Sequence, residues 1–344
     1  MVITLSIHNT REVLYLNISK FPITVFGSVL GTGGLVLASR SFLPWLVEPL
    51  TWILLFFFLA FSVIFLIKIA LYPGGVKAEL QNPLPGNFYA LQPISAVILA
   101  ILCRGLLPGS IDIGLLIYGT IGIFVLSIYL PYHFFSNMNV EFSHLHGGWF
   151  ITPVATILVT NALLQYPATP SSVIISLLFF GIGSMLFLII LVLLFFRLIS
   201  HTLPPADLAP TNYIVLAPIG ILIVDILQMA SVTGPMLGAN LLPFAVIGAG
   251  ILWGFGIWAI GVNLLLLGRY IRLGLRFHIG WWSYVFPTAA FVLGTISLSH
   301  YFAPLKGVSL ILYACLGTIF LAVLIASVGQ LIARLIRKGA PSRV

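Results

Sequence analysis

The chain has 344 residues, of which 60% are hydrophobic and only 6% charged, with a formal net charge of +8. Charged residues make up about a quarter of an ordinary soluble domain, so a water-soluble globular fold is excluded. The basic excess sits at the ends of apolar runs, which excludes a nucleic-acid footprint.

Met1 to Lys20 has no long apolar core followed by a small-residue cleavage site, so no removable signal peptide is expected. Asn17-Ile18-Ser19 fits a glycosylation acceptor pattern, but the orientation argued below places it in the cytoplasm. Ten apolar runs follow, at about 22–39, 49–71, 89–106, 112–133, 149–165, 170–196, 211–232, 241–268, 281–300 and 308–333. As helices they reach across a hydrocarbon layer ~30 Å thick. Their apolar residues are continuous and do not alternate, which excludes a transmembrane β-barrel. The connections are short, so residues 1–344 read as a single transmembrane domain with no soluble module.

Gly27, Gly31, Gly33 and Gly34 crowd the first run, and glycine can bend a helix. The second, over 51–67, is nearly all apolar and predicts a helix against lipid. Gln92-Pro93 stands in the third. Beyond the fourth lie His133, Glu141, His144 and His146. His144 and His146 are two apart, not the i, i+4 spacing of a helical zinc pair, so a solvated loop at the cytoplasmic mouth is expected and no metal site. The fifth run holds Thr152-Pro153 and Thr160; the sixth, over 174–196, again suits lipid. Ala217-Pro218 and Asp225 lie in the seventh, and an acid so deep in a span suggests a functional group. Gly250 and Gly254 in the eighth read as a packing pair. Phe286-Pro287 and Gly294 mark the ninth. Cys103 and Cys315 are too far apart for a metal or redox pair and read as small apolar residues.

Pro93, Pro153, Pro218 and Pro287 recur at spacings of 60, 65 and 69 residues, and one more period back reaches Val29. Between marked runs lies one run without a central proline. The chain therefore reads as an all-α polytopic membrane protein. Its ten transmembrane helices form five hairpins, with an inner ring of five kinked helices around a central pore. The residue before each mark is Ser28, Gln92, Thr152, Ala217 or Phe286; seven beyond it stand Val36, Ala100, Thr160, Asp225 and Gly294. Such small and weakly polar residues suit a narrow wet lumen. They equally suit close helix packing.

Twelve of the 15 Lys and Arg fall before the first run or after the even-numbered runs, leaving Arg40, Arg104 and Lys306 on the other side. That split predicts both termini in the cytoplasm of a multi-pass cell-membrane protein, with the basic residues on anionic lipid heads. The three outer cations either draw anions to the mouth or anchor the interface by snorkelling.

Gly280-Trp281-Trp282-Ser283-Tyr284-Val285-Phe286-Pro287 resembles the tellurite-resistance/dicarboxylate transporter family, which includes slow-type anion channels, the tellurite-resistance protein TehA and malate and sulfite transporters. Lys20-Phe21-Pro22, Trp149-Phe150-Ile151-Thr152-Pro153-Val154 and Leu216-Ala217-Pro218 are similar to that family's first, fifth and seventh helices, so the likeness runs from about 20 to 330. The resemblance implies a quasi-fivefold bundle, a homotrimer, and a phenylalanine of the ninth helix, here Phe286, plugging the pore. Asp225 departs from what it leads one to expect; a lumenal carboxylate would repel anions.

No HExxH, GxSxG, Walker loop or aspartate-rich diphosphate site is present, so no enzyme and no cofactor is expected. The reading is a channel for small anions gated by Phe286; the alternative is a carrier or exporter of a dicarboxylate such as malate, or of an oxyanion such as sulfite or tellurite. Five alike hairpins suit a fixed pore better than the two inverted repeats usual in carriers.

Overall fold

The computed structural model describes residues 18–136 and 141–339. Asn17 of the glycosylation pattern, and Arg11 and Arg343 of the basic count, lie outside them. Among the described residues the chain is helical, with no strand beyond an isolated bridge between Arg104 and Leu107. Among the described residues eight helices are long and apolar enough to cross a membrane, and Ile23–Ser39 and Gly147–Leu163 are shorter apolar helices. We number the apolar helices α1 (Phe26–Ser39), α2 (Val47–Leu71), α3 (Leu91–Cys103), α4 (Gly109–Ser136), α5 (Ile151–Leu163), α6 (Pro170–Ser200), α7 (Leu216–Leu237), α8 (Leu242–Arg272), α9 (Val285–Ser299) and α10 (Leu305–Gly339).

Burial divides them into two shells. Between 61 and 94% of the residues are buried in the long helices that contain α3, α7 and α9, against 17–28% in α2, α4, α6, α8 and α10. α1 and α5 are buried along nearly their whole length. Helices that are apolar all round fit this arrangement: the inner set meets protein on every side, and the outer set turns Leu, Ile and Phe outward. Among the inner helices α1 packs on α3, α3 on α5, α5 on α7, α7 on α9, and α9 back on α1. Each outer helix packs on the inner helix that precedes it in the chain.

The odd-numbered helices share one construction. A 3-10 stretch leads into each: Ile23–Val25, Asn87–Ala90, Gly147–Phe150, Ala206–Val215 and Ile279–Tyr284. Pro93, Pro153, Pro218 and Pro287 each stand third in the α-helix that follows, and Ser28 takes that place in α1. The prolines therefore mark a change of winding. In the first α turn the missing N–H has no intrahelical partner to lose, and the ring clears the preceding tighter turn.

Two glycine readings change. α1 runs unbroken, and its glycines make room: a Cβ on Gly33 would strike Ile98, and one on Gly34 would come 2.8 Å from Ala289 Cβ. Gly250 and Gly254 have nothing within 4 Å of such an atom, so among the described residues they face away from the bundle. Gly220 and Gly294 are where helices come closest. A Cβ on Gly220 would collide with the Ala290 carbonyl, and one on Gly294 would lie 2.8 Å from the Gly220 oxygen.

We call the end where the inner helices begin the lower end. There Lys68, buried, donates to Glu79 Oε1 (2.8 Å) and Oε2 (2.9 Å) and to the Phe21 carbonyl (2.9 Å), and Tyr89 donates to Glu79 Oε2 (2.6 Å). This ties the short helix Pro73–Gln81 to the bundle.

Candidate functional site

Two cavities are lined by residues of the inner helices. The lower one, about 50 Å³, is lined by Gly27 and Leu30, Leu91, Ile151 and Val154, Ala217, and Phe286, among others. The upper one, about 220 Å³, is lined by Leu37 and Arg40, Ile101, Asn161 and Gln165, Gln228, and Phe286, among others. Every inner helix contributes to both. Many lining residues step by three and four: 151, 154, 158, 161 on α5 with 165 just beyond it; 217, 221, 224, 228 on α7 with 214 just before it; 286, 290, 293, 297 on α9 with 283 just before it. On α5, α7 and α9 one face thus reaches both cavities.

Phe286 is the residue common to the two. Its ring is 6% exposed and faces Gly34, where an added Cβ would approach Phe286 Cδ2 to 3.0 Å. It stands just before Pro287, at the change of winding in the ninth span. Below it the wall is apolar but for Thr24 and Ser283; above it stand Arg40, Ser41, Asn161, Gln165, Gln228 and Ser297.

The residues singled out from the sequence divide. Ala217 lines the lower cavity. Gln92 turns to the outer shell, donating to Ser62 Oγ (3.3 Å) on α2 and accepting from Tyr118 Oη (2.8 Å) on α4. Thr160 donates to the Ser176 carbonyl (3.1 Å) on α6. Ser28 donates back to the Val25 carbonyl (2.7 Å). Thr152 is buried and lines neither cavity, and Gly294 sits against Gly220. Asp225 is fully buried behind the upper wall: its Oδ1 accepts from Asn161 Nδ2 (3.1 Å), which also donates to Gln228 Oε1 (3.2 Å). The upper cavity therefore meets two amides, with the carboxyl behind them. Sequence reasoning passed over Asn161, Gln165 and Gln228. Their signal is polar residues at steps of three or four in the second halves of the fifth and seventh runs.

The histidine loop is also different from the expected solvated one. His146 is fully buried, stacks on Phe88 (6.0 Å between rings), and accepts the Gly148 N–H at Nδ1 (3.0 Å). Burial pushes its pKa down to about 4, opposed by the Pro83 and Leu84 carbonyls and aided by the charges of Arg197 and His144. It caps the 3-10 stretch before α5. His278 caps the one before α9 in the same manner, accepting from Gly280 N–H at 3.1 Å. Among the described residues no group of three or more His, Cys, Asp or Glu could hold a metal ion.

The family model described as SLAC1, voltage-dependent anion channel, matches residues 20–328. Two curated proteins of Methanocaldococcus jannaschii, both described as uncharacterized transporters, are similar. MJ0762 is 28% identical over 294 residues, covering 81% of this chain and 84% of that protein. MJ0576 is 28% identical over 296 residues, covering 80% of this chain and 82% of that protein.

Proposed function

The chain belongs to the SLAC1 voltage-dependent anion channel family, and on that premise we propose that it is a channel passing small anions along the axis of a ten-span bundle. Five hairpins contribute one inner helix each to a ring about that axis, and Phe286 is its gate. The observation that carries this reading is that Phe286 alone lines both axial cavities. A phenyl ring across a narrow apolar neck excludes water, and an ion cannot cross without its hydration shell.

The pore-lining set is revised accordingly. It comprises Ala217 with Leu30, Val154 and Leu91 below, and Asn161, Gln165 and Gln228 above. Amide N–H groups and Arg40 suit a passing anion, and Asp225 is withdrawn from it by Asn161. The prolines are the bending points of the inner rods. Both termini lie in the cytoplasm of the cell membrane, and the protein assembles as a homotrimer; protease accessibility of tagged termini and cross-linking in membranes test these two points.

Recording from purified protein in planar bilayers, comparing chloride, nitrate and malate, tests the function. Unitary currents above roughly 10⁶ ions per second support a channel; saturable flux at conformationally limited rates of about 1–10³ s⁻¹ supports the carrier or exporter instead. Absence of any anion flux from correctly folded protein refutes both.

A further inference from the structure

A third hollow, about 650 Å³, adjoins the upper cavity. Arg40, Ile101 and Gln165 line both, so it opens beside the upper mouth of the axis. Arg104, Gly105 and Glu48 complete its polar wall. Both guanidinium groups are held by uncharged partners. Arg40 Nη2 donates to the Ile101 carbonyl (2.8 Å), and Arg104 lies over the Tyr166 ring with Cζ 4.6 Å from its centroid. Tyr166 is fixed in turn by donating to Asp112 Oδ2 (2.9 Å).

Neither arginine has a carboxylate oxygen within 4 Å; the ion pair found among the described residues is Lys68 with Glu79, at the opposite end. Two like charges thus share one hollow with a single carboxylate, Glu48, which pairs with neither, so the hollow keeps a net positive charge. The charge of Arg104 also opposes that of Arg40, a smaller effect on the Arg40 pKa than loss of hydration, and both lower it. An anion between the two arginines would relieve that opposition. Guanidinium forks and an amide present directional N–H donors in planes. That geometry matches two oxygens of one anion better than a spherical halide.

We propose that Arg40, Arg104 and Gln165 form a capture site for oxyanions, in the class of nitrate or a carboxylate, at the upper mouth. Arg40 and Gln165, facing both hollows, pass the anion on to the axis. The transfer step rests on the proposed anion conduction; the binding step does not. The site is exposed, so its affinity is modest and falls with ionic strength.

Nitrate and chloride currents are recorded on the full-length protein with anion supplied from the upper face, for wild type, Arg104→Gln, Arg104→Lys and Lys306→Gln. Wild type is expected to half-saturate at lower nitrate than chloride. Arg104→Gln raises the nitrate value about 3–10-fold, as loss of one charged hydrogen-bond donor implies. Arg104→Lys restores the charge but recovers little of the preference for nitrate over chloride. Lys306→Gln, which removes a charge from the same end outside the hollow, moves it less. An unchanged nitrate value in Arg104→Gln, or an equal shift in Lys306→Gln, overturns the site. Thermal unfolding decides the binding step separately. Nitrate must raise the wild-type midpoint more than chloride at equal ionic strength, and the difference must vanish in Arg104→Gln. If it is absent from wild type the capture site is wrong. A silent wild type that keeps this nitrate effect refutes conduction and leaves the site standing.

Discussion

The two cavities are lined by the same five helices yet offer opposite surroundings. Below Phe286 the wall is Leu30, Leu91, Ile151, Val154 and Ala217; above it are Asn161, Gln165, Gln228 and Arg40. The upper half can replace part of a hydration shell with N–H donors. The lower half cannot; in the channel we propose, the barrier would lie where the apolar neck begins, and the ring of Phe286 stands at that boundary. The contrast teaches that position along a rod matters more than residue type: Gln92 and Thr160 are polar but serve helix packing, whereas Phe286 is apolar and spans both cavities.

The sharpest way to break this contrast is to remove the boundary. Phe286→Ala joins the two cavities and is expected to raise anion conductance at least about tenfold in bilayer recordings; an unaltered current would strip Phe286 of its role. Acid attacks the lower half next. His146 is buried and neutral, with its pKa near 4, while the unfolded chain protonates it in the ordinary range about 6.5. The unfolded state therefore binds more protons between those values, and stability falls as pH drops through that window, by up to about 3 kcal/mol. Thermal unfolding from pH 7 to 4.5 should show it, with a flatter slope in His146→Asn, which keeps an acceptor for the cap.

In the upper half, Asn161→Leu leaves Asp225 Oδ1 without its donor, at a cost of about 1–3 kcal/mol. It also brings the carboxyl nearer the lumen, so conductance falls; Asp225→Asn added to it should recover part of the loss, and a double variant no better than the single would contradict the amide screen. Gly34→Ala is the smallest change. Its methyl meets Ala289 and the Phe286 ring at 2.8 and 3.0 Å, a crowding worth about 1–2 kcal/mol. The displaced ring alters open probability, read from single-channel records of otherwise intact protein.

Much of the frame was legible in the sequence. Each of the ten apolar runs falls on an apolar helix, and the recurring proline does pick out the rods that become the buried set. The face that each rod turns to the axis was not legible. Helices buried all round carry no polar stripe, so periodicity has nothing to report. Counting from the proline therefore gathered Thr160 and Gly294, which meet neighbouring helices, and passed over Asn161, one residue further along. The histidine loop failed for a related reason. His146 looks like an exposed polar residue until the backbone N–H of Gly148 is seen to need an acceptor at the first turn.

Pro287 carries a consequence for motion. Its nitrogen has no hydrogen, so at this position the first turn of α9 has no donor to fasten it to the 3-10 stretch Ile279–Tyr284 before it. Rewinding that turn costs no bond at Pro287 itself, and the tie it must release is Thr288 Oγ1 to the Tyr284 carbonyl (2.6 Å). If Phe286 is the gate we propose, it stands at a junction with one tie missing, and the work of opening would go mainly into wetting the neck.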